Sequence, residues 1–284
     1  MLTEIIPNIR IAFVEMLAVI KKKEMKKYLK QIIGESNLRV FRSIYKTKKE
    51  RELIKKRRTF YSQFLTFKDD IYIDVGANYG NRIEPLIGKG LKIIAVEPQL
   101  KCVEFLKRKY GNKITIIPKG LGEIEESRTI YISNAHAITS FSKDWIKATQ
   151  DSGRFSEYTW SQGQEVEMTT LDNLINTYGK PKFIKIDVEG FEYEVLKGLS
   201  QDIEFISFEY IVPERINSVF QCLDRISEIA NQNNVLFNYS KGESMEWALD
   251  EWILPYEMKK EVKLDRFIKS RFGDIYSKTT ANKG

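Results

Sequence analysis

The sequence I-Y-I-D-V-G-A-N-Y-G, residues 71–80, joins a short apolar run to two glycines. It predicts a β-strand over Ile71–Val75, then a glycine turn and the start of a helix, which is the local layout of a nucleotide-cofactor site in an α/β sheet. Glycine has no Cβ, so the backbone of the turn can approach a ligand, and the helix N-terminus offers unpaired N–H groups. Glycine turns after strands also occur for packing alone, so a second feature is needed to decide between the two.

An acidic residue follows the next apolar run. Residues 93–96, I-I-A-V, predict a buried strand that ends at Glu97 and Pro98. Glu97 lies roughly 20 residues beyond the glycine turn, where an acidic side chain accepts hydrogen bonds from ribose hydroxyls. Its alternative role is that of a solvated carboxylate that caps the helix starting near Gln99. Together with the turn, this position favours a nucleotide-type cofactor.

A third predicted strand ends in two further carboxylates. Phe183–Asp187 has the composition of a buried strand, and Glu189 follows two residues after its end. In open α/β sheets, ligands bind beyond the carboxyl ends of the strands. Asp74, Glu97 and Asp187 are therefore expected to converge on one rim of the sheet.

Four motifs of this chain resemble those of the FkbM family of S-adenosylmethionine-dependent methyltransferases. They are D-V-G-A-N-Y-G (74–80), V-E-P (96–98), T-L-D-N-L (170–174) and K-I-D-V-E-G-F-E-Y-E-V-L-K-G-L (185–199). The first is shared by many class I methyltransferases and the last is long and specific; the resemblance covers about half of the chain. It implies an α/β, Rossmann-like class I methyltransferase fold, with a seven-stranded, mostly parallel sheet and helices on both faces. It also implies S-adenosyl-L-methionine as the cofactor and methyl transfer, usually to a hydroxyl oxygen of a sugar or natural product.

The resemblance implies roles for the residues of these motifs. Asp74 would arrange the glycine turn and the methionine end of the cofactor, Glu97 would hold the ribose, and residues 119–121 would lie beside the adenine. G-L-G-E at 120–123 departs from the small polar residues expected there. The residues expected to contact the cofactor are Asp74, Gly76, Ala77, Asn78, Gly80, Glu97, Pro98, Gly120, Leu121 and Asp187.

Asp187, Glu189 and His136 are the candidates for catalysis. Asp187 ends the strand beside the glycine turn and could orient the acceptor hydroxyl or face the sulfonium side of the cofactor, whereas Glu189 could do the same or cap the next helix. His136 is the only imidazole, which suits a general base near neutral pH, but a lone loop histidine is more often an ordinary surface residue. Glu209, at the end of a later strand, could face the same rim. Because the cofactor brings an activated methyl group, positioning of the nucleophile matters more than a strong base.

The sequence indicates neither a metal site nor a disulfide. With one His in the chain, any metal would need mainly carboxylate ligands and would be Mg²⁺-like or Ca²⁺-like. Cys102 and Cys222 have no C-x-x-C spacing and are expected to be reduced thiols in a cytoplasmic protein.

Alternating strands and helices predict the rest of the sheet. The expected strands are Ile71–Val75, Lys92–Val96, Ile114–Ile117, Phe183–Asp187, Ile203–Tyr210, Val235–Tyr239 and, as the last antiparallel strand, Trp247–Leu254. The expected helices are Arg82–Ile87, Leu100–Tyr110, Leu171–Tyr178, Glu192–Leu196 and Glu214–Ala230. Thr129–Ile132 and Glu165–Thr169 alternate apolar with polar residues, which suits an antiparallel ribbon. Residues 133–163 are expected to form a long specificity loop that either covers the site or is disordered.

The composition fits one enzyme domain with a basic appendage. In a chain of 284 residues with 42% hydrophobic content, we expect a helical N-terminal extension over residues 1–65 and a methyltransferase domain over residues 66–284. Residues 1–68 hold 18 Lys and Arg against 6 Glu, a net charge of +12, so the positive net charge of +7 of the whole chain comes from this arm.

Three roles compete for the arm: a helical cap with a solvated basic face, a peripheral contact with anionic lipid, and nucleic-acid binding. The last is the least favoured, because no recognised binding module accompanies the charge. The apolar stretch Ile9–Ile20 is too short to span a bilayer, and its basic residues lie after it, which argues against a secretory signal. We expect a cytoplasmic protein, and the lipid contact would place the arm at the inner face of the membrane.

The leading functional hypothesis is an O-methyltransferase that acts on a hydroxyl of a glycan, a glycolipid or another glycosylated metabolite. The alternative is a non-catalytic adaptor that associates with a membrane or nucleic acid and retains a methyltransferase fold. A nicotinamide-dependent dehydrogenase is disfavoured, because the turn lacks the full G-x-G-x-x-G pattern. The acceptor, the choice between O- and N-methylation and the oligomeric state do not follow from the sequence.

Overall fold

The computed structural model describes residues 39–40, 42–43, 46–66, 68–135, 138–161, 163–230 and 235–280. The chain forms two compact units, residues 1–50 and residues 51–284, and the main sheet lies in the second. The predictions for residues 1–38 fall outside the described residues, and the membrane contact of the basic arm stays a prediction. Within the described ranges, no helix is both long and apolar enough to cross a bilayer.

The strands follow the predicted alternation with helices. They are β1 (Ile71–Val75), β2 (Lys92–Val96), β3 (Thr115–Ile117), β4 (Gly120–Leu121), β5 (Ser127–Thr129), β6 (Ile132–Ser133), β7 (Trp160–Ser161), β8 (Glu165–Thr169), β9 (Phe183–Ile186), β10 (Phe205–Ile211), β11 (Val235–Lys241) and β12 (Phe272–Thr279).

Seven of these strands form the main sheet, in the order β11-β12-β10-β9-β1-β2-β3. The five strands from β10 to β3 run parallel, and β12 is antiparallel to both of its neighbours. β1 lies in the middle, paired with β2 on one side and with β9 on the other. The carboxyl ends of β1, β2 and β9 therefore meet at one rim, and the predicted Rossmann-like, mostly parallel sheet is confirmed.

The helices are α1 (Lys48–Tyr61), α2 (Leu100–Tyr110), α3 (Lys143–Asp151), α4 (Leu171–Tyr178), α5 (Glu192–Lys197), α6 (Ile216–Ile229), α7 (Pro255–Val262) and α8 (Asp265–Ile268). Both α2 and α4 begin and end where the sequence predicts. The helix predicted over Arg82–Ile87 is only a 3₁₀ turn, Glu84–Leu86, and the chain leaves it at Gly88 with a φ of +74°.

Helices pack on both faces of the sheet, because successive side chains of each strand point to opposite sides. On one face, α4, α5 and α6 bury Leu174, Leu196 and Leu223 in the larger core. On the other, Phe64, just after α1, and Leu106 of α2 lie in a second core. The polar side chains of the central strands reach the rim on this second face.

The last strand is not where the sequence predicts it. Trp247–Leu254 forms no strand beyond a bridge between Ile253 and Phe237, and the closing antiparallel strand is β12. The tryptophans of that stretch serve as packing groups, since the ring of Trp247 lies 4.7 Å from that of Phe60. β12 escaped prediction because it buries polar residues, among them Asp274.

The segment between residues 133 and 163 is more ordered than predicted. It contains α3, whose N-cap Ser142 accepts a hydrogen bond from the Trp145 N–H at 3.1 Å, and Trp145 itself is fully buried. The predicted ribbon is confirmed for Thr129, which pairs with Glu165, but Ile132 pairs with Ser161 instead. Ser142, a residue type that is common in loops, therefore caps a helix here.

Candidate functional site

A cavity of about 250 Å³ opens at the rim where β1, β2 and β9 end. It brings together residues that are far apart in the sequence, from the glycine turn, the end of β2, the start of β4 and the end of β9. The predicted residues that line it are Asp74, Gly76, Ala77, Asn78, Glu97, Pro98, Gly120, Leu121, Asp187 and Glu189. Their contacts with a ligand stay predictions.

The glycine turn is held between two strand ends. The N–H groups of Gly76 and Ala77 both donate to the carbonyl oxygen of Val96, each at 3.0 Å. Gly76 has a φ of +81°, and a Cβ at this position would lie 1.8 Å from the carbonyl oxygen of Asp187. Only glycine fits where the turn crosses the end of β9 this closely.

Gly80 lies on the side of the turn away from the cavity and stabilises the turn through hydrogen bonds to other residues. Its carbonyl oxygen accepts a hydrogen bond from the Tyr110 hydroxyl at 3.0 Å, and its N–H donates to the Ala77 carbonyl at 2.8 Å. A Cβ on Gly80 would lie 2.7 Å from the ring of Tyr110. Gly80 therefore fixes the turn onto α2.

Glu97 binds the backbone of the turn while facing the cavity. Its Oε2 accepts the Asn78 N–H at 2.7 Å and its Oε1 accepts the Gln99 N–H at 2.8 Å. Burial raises the pKa of this carboxyl to about 7, although the two backbone hydrogen bonds favour its ionised form. A carboxylate has about four acceptor positions, so Glu97 can accept a ligand hydroxyl while it also orders the turn.

Asp74 lies at the base of the turn and is 1% exposed. The Tyr72 hydroxyl donates to its Oδ1 at 3.3 Å, whereas its buried Oδ2 has no hydrogen-bond partner among the described residues. Burial raises the pKa of Asp74 to about 6, against the opposing effect of the Lys185 charge. An orphaned carboxylate oxygen in a cavity wall is suited to a cationic or N–H donor group of a ligand.

Asp187, at the end of β9, is paired with a buried lysine that the sequence analysis missed. The Lys185 Nζ lies 2.6 Å from the Asp187 Oδ2, and the side chain of Lys185 is only 2% exposed. Burial alone would raise the pKa of Asp187, but the charge and hydrogen bond of Lys185 hold it below the usual value. Asp187 is therefore a carboxylate that stays ionised.

A chain of alternating charges runs from Lys185 to α1. Asp274 lies 3.9 Å from the Lys185 Nζ and 3.1 Å from Arg82, and Arg82 and Arg57 each lie 3.0 Å from Glu243. No sequence motif indicates this network, because its members come from five separate segments. These are α1, the turn after β1, β9, the loop after β11, and β12. The only signal was the placement of polar residues at core positions of β9 and β12.

Three carboxylates converge at the end of the cavity nearest β9 and β10. One oxygen each of Asp187, Glu189 and Glu209 lies within 4.8 Å of the others. Burial raises the pKa values of Glu189 and Glu209 well above the usual range, and the charge of Asp187 adds to this effect. The first residue of α5, Glu192, accepts the N–H groups of Val188 and Gly190 at its Oε1 and so fixes the turn that carries Glu189, and no side chain of the described residues caps the N-terminus of α5.

The segment before α3 reaches the same cavity. Ser140 donates from its Oγ to the Glu189 carbonyl at 2.6 Å and so holds a residue with a φ of +53°. Phe141 lines the cavity, and its ring centroid lies 5.5 Å from that of Phe191. His136, the third catalytic candidate, lies outside the described residues, so its role stays a prediction.

A groove of about 580 Å³ continues from the cavity past these two rings. Phe141 and Phe191 line both spaces. The groove adds Tyr131, whose ring lies 5.3 Å from the Lys143 ammonium, and Arg128, which lies 4.9 Å from the Phe191 ring. It presents aromatic faces together with hydroxyl, carboxylate and cationic groups.

Comparisons with known proteins identify one family. A family model described as methyltransferase FkbM domain matches residues 74–234, which is more than half of the chain and includes every motif described above. No curated protein sequence matches the chain.

Several solved structures resemble the fold at low sequence identity. A TehB-like S-adenosylmethionine-dependent methyltransferase from Corynebacterium glutamicum is 7% identical, with a TM-score of 0.41 over 79% of this chain and 88% of that one. An O-methyltransferase from Bacillus cereus, in complex with S-adenosylhomocysteine, is 11% identical, with a TM-score of 0.38 over 90% and 97% of the two chains. A precorrin-6y C5,15-methyltransferase from Geobacter metallireducens is 11% identical, with a TM-score of 0.37 over 79% and 87%.

Proposed function

Because the chain belongs to the FkbM family of S-adenosylmethionine-dependent methyltransferases, we propose that it transfers a methyl group to a hydroxyl oxygen of a glycan, a glycolipid or another glycosylated metabolite. The observation that carries the proposal is the joint placement of Glu97 and the Asp187 carboxylate on one cavity, at opposite sides of the glycine turn. One side of the turn suits a nucleoside and the other suits a polar acceptor.

The cavity walls fit the cofactor. Glu97 would accept a hydrogen bond from the ribose hydroxyls, because its bonds to Asn78 and Gln99 hold the carboxylate still without using all of its acceptor positions. Asp74 would accept the amino group of the methionine part with its orphaned Oδ2. Gly120 and Leu121 would lie beside the adenine.

When bound, S-adenosylmethionine supplies an activated methyl group and a sulfur leaving group. The acceptor hydroxyl would lie beside Asp187 and Glu189, the carboxylates that follow β9 in the wall of the cavity. The ionised Asp187 would orient the hydroxyl through a hydrogen bond, and Glu189 would take its proton. Lys185 would keep Asp187 in its ionised form and in place.

The groove beyond Phe141 and Phe191 is the proposed acceptor site. Flat aromatic faces beside hydroxyl and charged groups suit a sugar ring, which has apolar C–H faces and polar edges. The same groove could accept a neutral or a charged glycan, because Arg128, Lys143 and Glu165 all line it.

Calorimetric titration tests the cofactor site directly. S-adenosylhomocysteine should bind saturably to the full chain and NAD⁺ should not. Glu97→Ala should weaken the binding by about 10- to 100-fold, since hydrogen bonds to a charged group contribute about 1.5–3 kcal/mol. Glu104→Ala, at an exposed position on α2, is the matched control and should bind as the natural protein does. Absence of binding by the natural chain would favour the adaptor alternative, and equal binding by Glu97→Ala would remove Glu97 from the ribose contacts.

The affinity for S-adenosylhomocysteine should also depend on pH. The pKa of Glu97 is about 7 without ligand, and an ionised Glu97 is the better acceptor for ribose hydroxyls, so the affinity should fall as the pH drops below 7, by up to about tenfold per pH unit. Glu97→Gln should bind weakly at all pH values and lose this dependence above pH 6. A dependence that remains below pH 6 in the variant belongs to Asp74, whose pKa is about 6. Isothermal titration between pH 5.5 and pH 8.5 measures both effects.

A further inference from the structure

We propose that Asp187, Glu189 and Glu209 form a binding site for one divalent cation of the Mg²⁺ or Mn²⁺ type, at the acceptor end of the cavity. The site is built from two neighbouring parallel strands, β9 and β10, whose carboxyl ends meet beside the glycine turn. Its use in catalysis rests on the proposed methyl transfer, whereas cation binding itself does not.

The spacing of the three carboxylates suits a hard cation. One oxygen from each residue lies within 4.8 Å of the other two. Neighbouring oxygens around a Mg²⁺ ion are about 3 Å apart and opposite ones about 4.2 Å apart, so a small rotation of these side chains would bring their oxygens onto one coordination sphere. The carboxylates can thus occupy three positions of one coordination sphere, and the open groove leaves room for water or acceptor oxygens at the others.

Orphaned oxygen atoms give a second reason for a cation. The Oε2 of Glu209 is fully buried and has no hydrogen-bond partner in the described part of the chain. The Oδ2 of Asp74, on a residue that is 1% exposed, also lacks a partner there, and Asp74 lines the same cavity. A buried carboxylate oxygen without a positive or donor partner is costly. The amino group of the cofactor accounts for Asp74, but Glu209 lies at the other end, beside Asp187 and Glu189.

The charges around the three carboxylates leave them short of positive partners. Lys185 contacts Asp187, but it is shared with Asp274 on β12. Two nearby arginines are paired with other carboxylates, Arg82 with Asp274 and Glu243 and Arg154 with Glu214 at 3.0 Å, while Arg215 donates to the Gly190 carbonyl at 3.3 Å. A divalent cation would balance the negative charge of the carboxylates that Lys185 does not pair with.

At this position the cation would lie beside the acceptor hydroxyl. It would coordinate the hydroxyl oxygen and hold it toward the cofactor, which is the positioning that methyl transfer needs. The unligated oxygen of Glu189 would remain available for the hydroxyl proton.

Titration of the full chain with Mn²⁺, followed by electron paramagnetic resonance, tests the site without any turnover. We expect one saturable Mn²⁺ site per chain that Mg²⁺ displaces, and at least a tenfold weaker site in Glu209→Gln. Glu228→Gln, an exposed position on α6 that pairs with Arg225, is the control and should bind Mn²⁺ as the natural chain does. Circular dichroism checks that Glu209→Gln is folded; if it is not, Glu189→Gln takes its place.

Absence of saturable Mn²⁺ binding, or equal binding by Glu209→Gln and the natural chain, would overturn the site. S-adenosylhomocysteine titrated into the same samples separates this result from the proposed function. Binding of the cofactor product without Mn²⁺ binding would reject only the cation site, and the reverse pattern would reject only the cofactor site.

Discussion

Gly76→Ala should abolish binding of S-adenosylhomocysteine and lower the free energy of unfolding by about 3 kcal/mol. The added Cβ would lie 1.8 Å from the carbonyl oxygen of Asp187, and the backbone at Gly76 has a φ of +81°, which side chains rarely adopt. The strand end that carries Asp187 would have to move away from the turn. Calorimetric titration and chemical denaturation measure the two losses.

Gly88→Ala is the matched control for this variant. Gly88 has nearly the same backbone conformation, with a φ of +74°, but no atom lies within 4 Å of the position of the new Cβ. We expect it to lose only about 1–2 kcal/mol from the backbone conformation and to bind the ligand normally. If Gly76→Ala bound the ligand as Gly88→Ala does, the close approach of the turn to β9 would not shape the cofactor site.

Lys185→Met should destabilise the protein by about 3 kcal/mol and abolish methyl transfer. The substitution leaves Asp187 without its 2.6 Å partner, and breaking a buried ion pair in this way typically costs about 3–5 kcal/mol. The lower end applies because the Asp187 side chain keeps 29% of its exposure and Asp274 keeps Arg82 as a partner. Denaturation in urea and a single-turnover assay with a glycan acceptor measure the effects.

A double-mutant cycle with Asp187→Asn separates the pair from each residue alone. The double variant Lys185→Met/Asp187→Asn should be more stable than Lys185→Met, because no unpaired charge remains, but it should still be inactive. Asp187→Asn alone should bind S-adenosylhomocysteine and fail in methyl transfer. Normal turnover by Asp187→Asn would remove Asp187 from the catalytic residues.

The site residues that the sequence predicts are those whose position depends only on the end of their own strand. Asp74, Glu97 and Asp187 each follow an apolar run, and the rule that parallel strands end at one rim was enough to bring them together. The bounds of α2 followed from the same local signals, a helical apolar period and a glycine after its last residue.

The parts that were not predictable depend on partners distant in sequence. Lys185 and Asp274 occupy strand positions where apolar residues are expected, and each is tolerated only because the other charges lie beside it. Nothing local in β12 reveals Arg82 as a partner. The sequence thus places the carboxylates but not the cations that hold them.

The structure of the segment before β8 could not be predicted for a different reason. Its Ser, Thr and aromatic residues have the composition of a loop, yet Ser142 caps a helix and Trp145 fills a core of its own. Gly190 is part of this packing, because a Cβ there would lie 2.3 Å from the Trp145 ring. The contact joins two segments about 45 residues apart, so the local sequence of either segment does not predict it.

The contacts between the glycine turn and the end of β9 bear on how the cofactor and the acceptor affect each other's binding. The N–H of Asp187 donates to the Val75 carbonyl at 2.9 Å, and the carbonyl of Asp187 lies against Gly76, so the two strand ends form one rigid element. A ligand that immobilises the turn also immobilises the carboxylates, and a second ligand then loses less conformational entropy on binding. We therefore expect each ligand to strengthen the binding of the other, because the coupling between two sites is reciprocal.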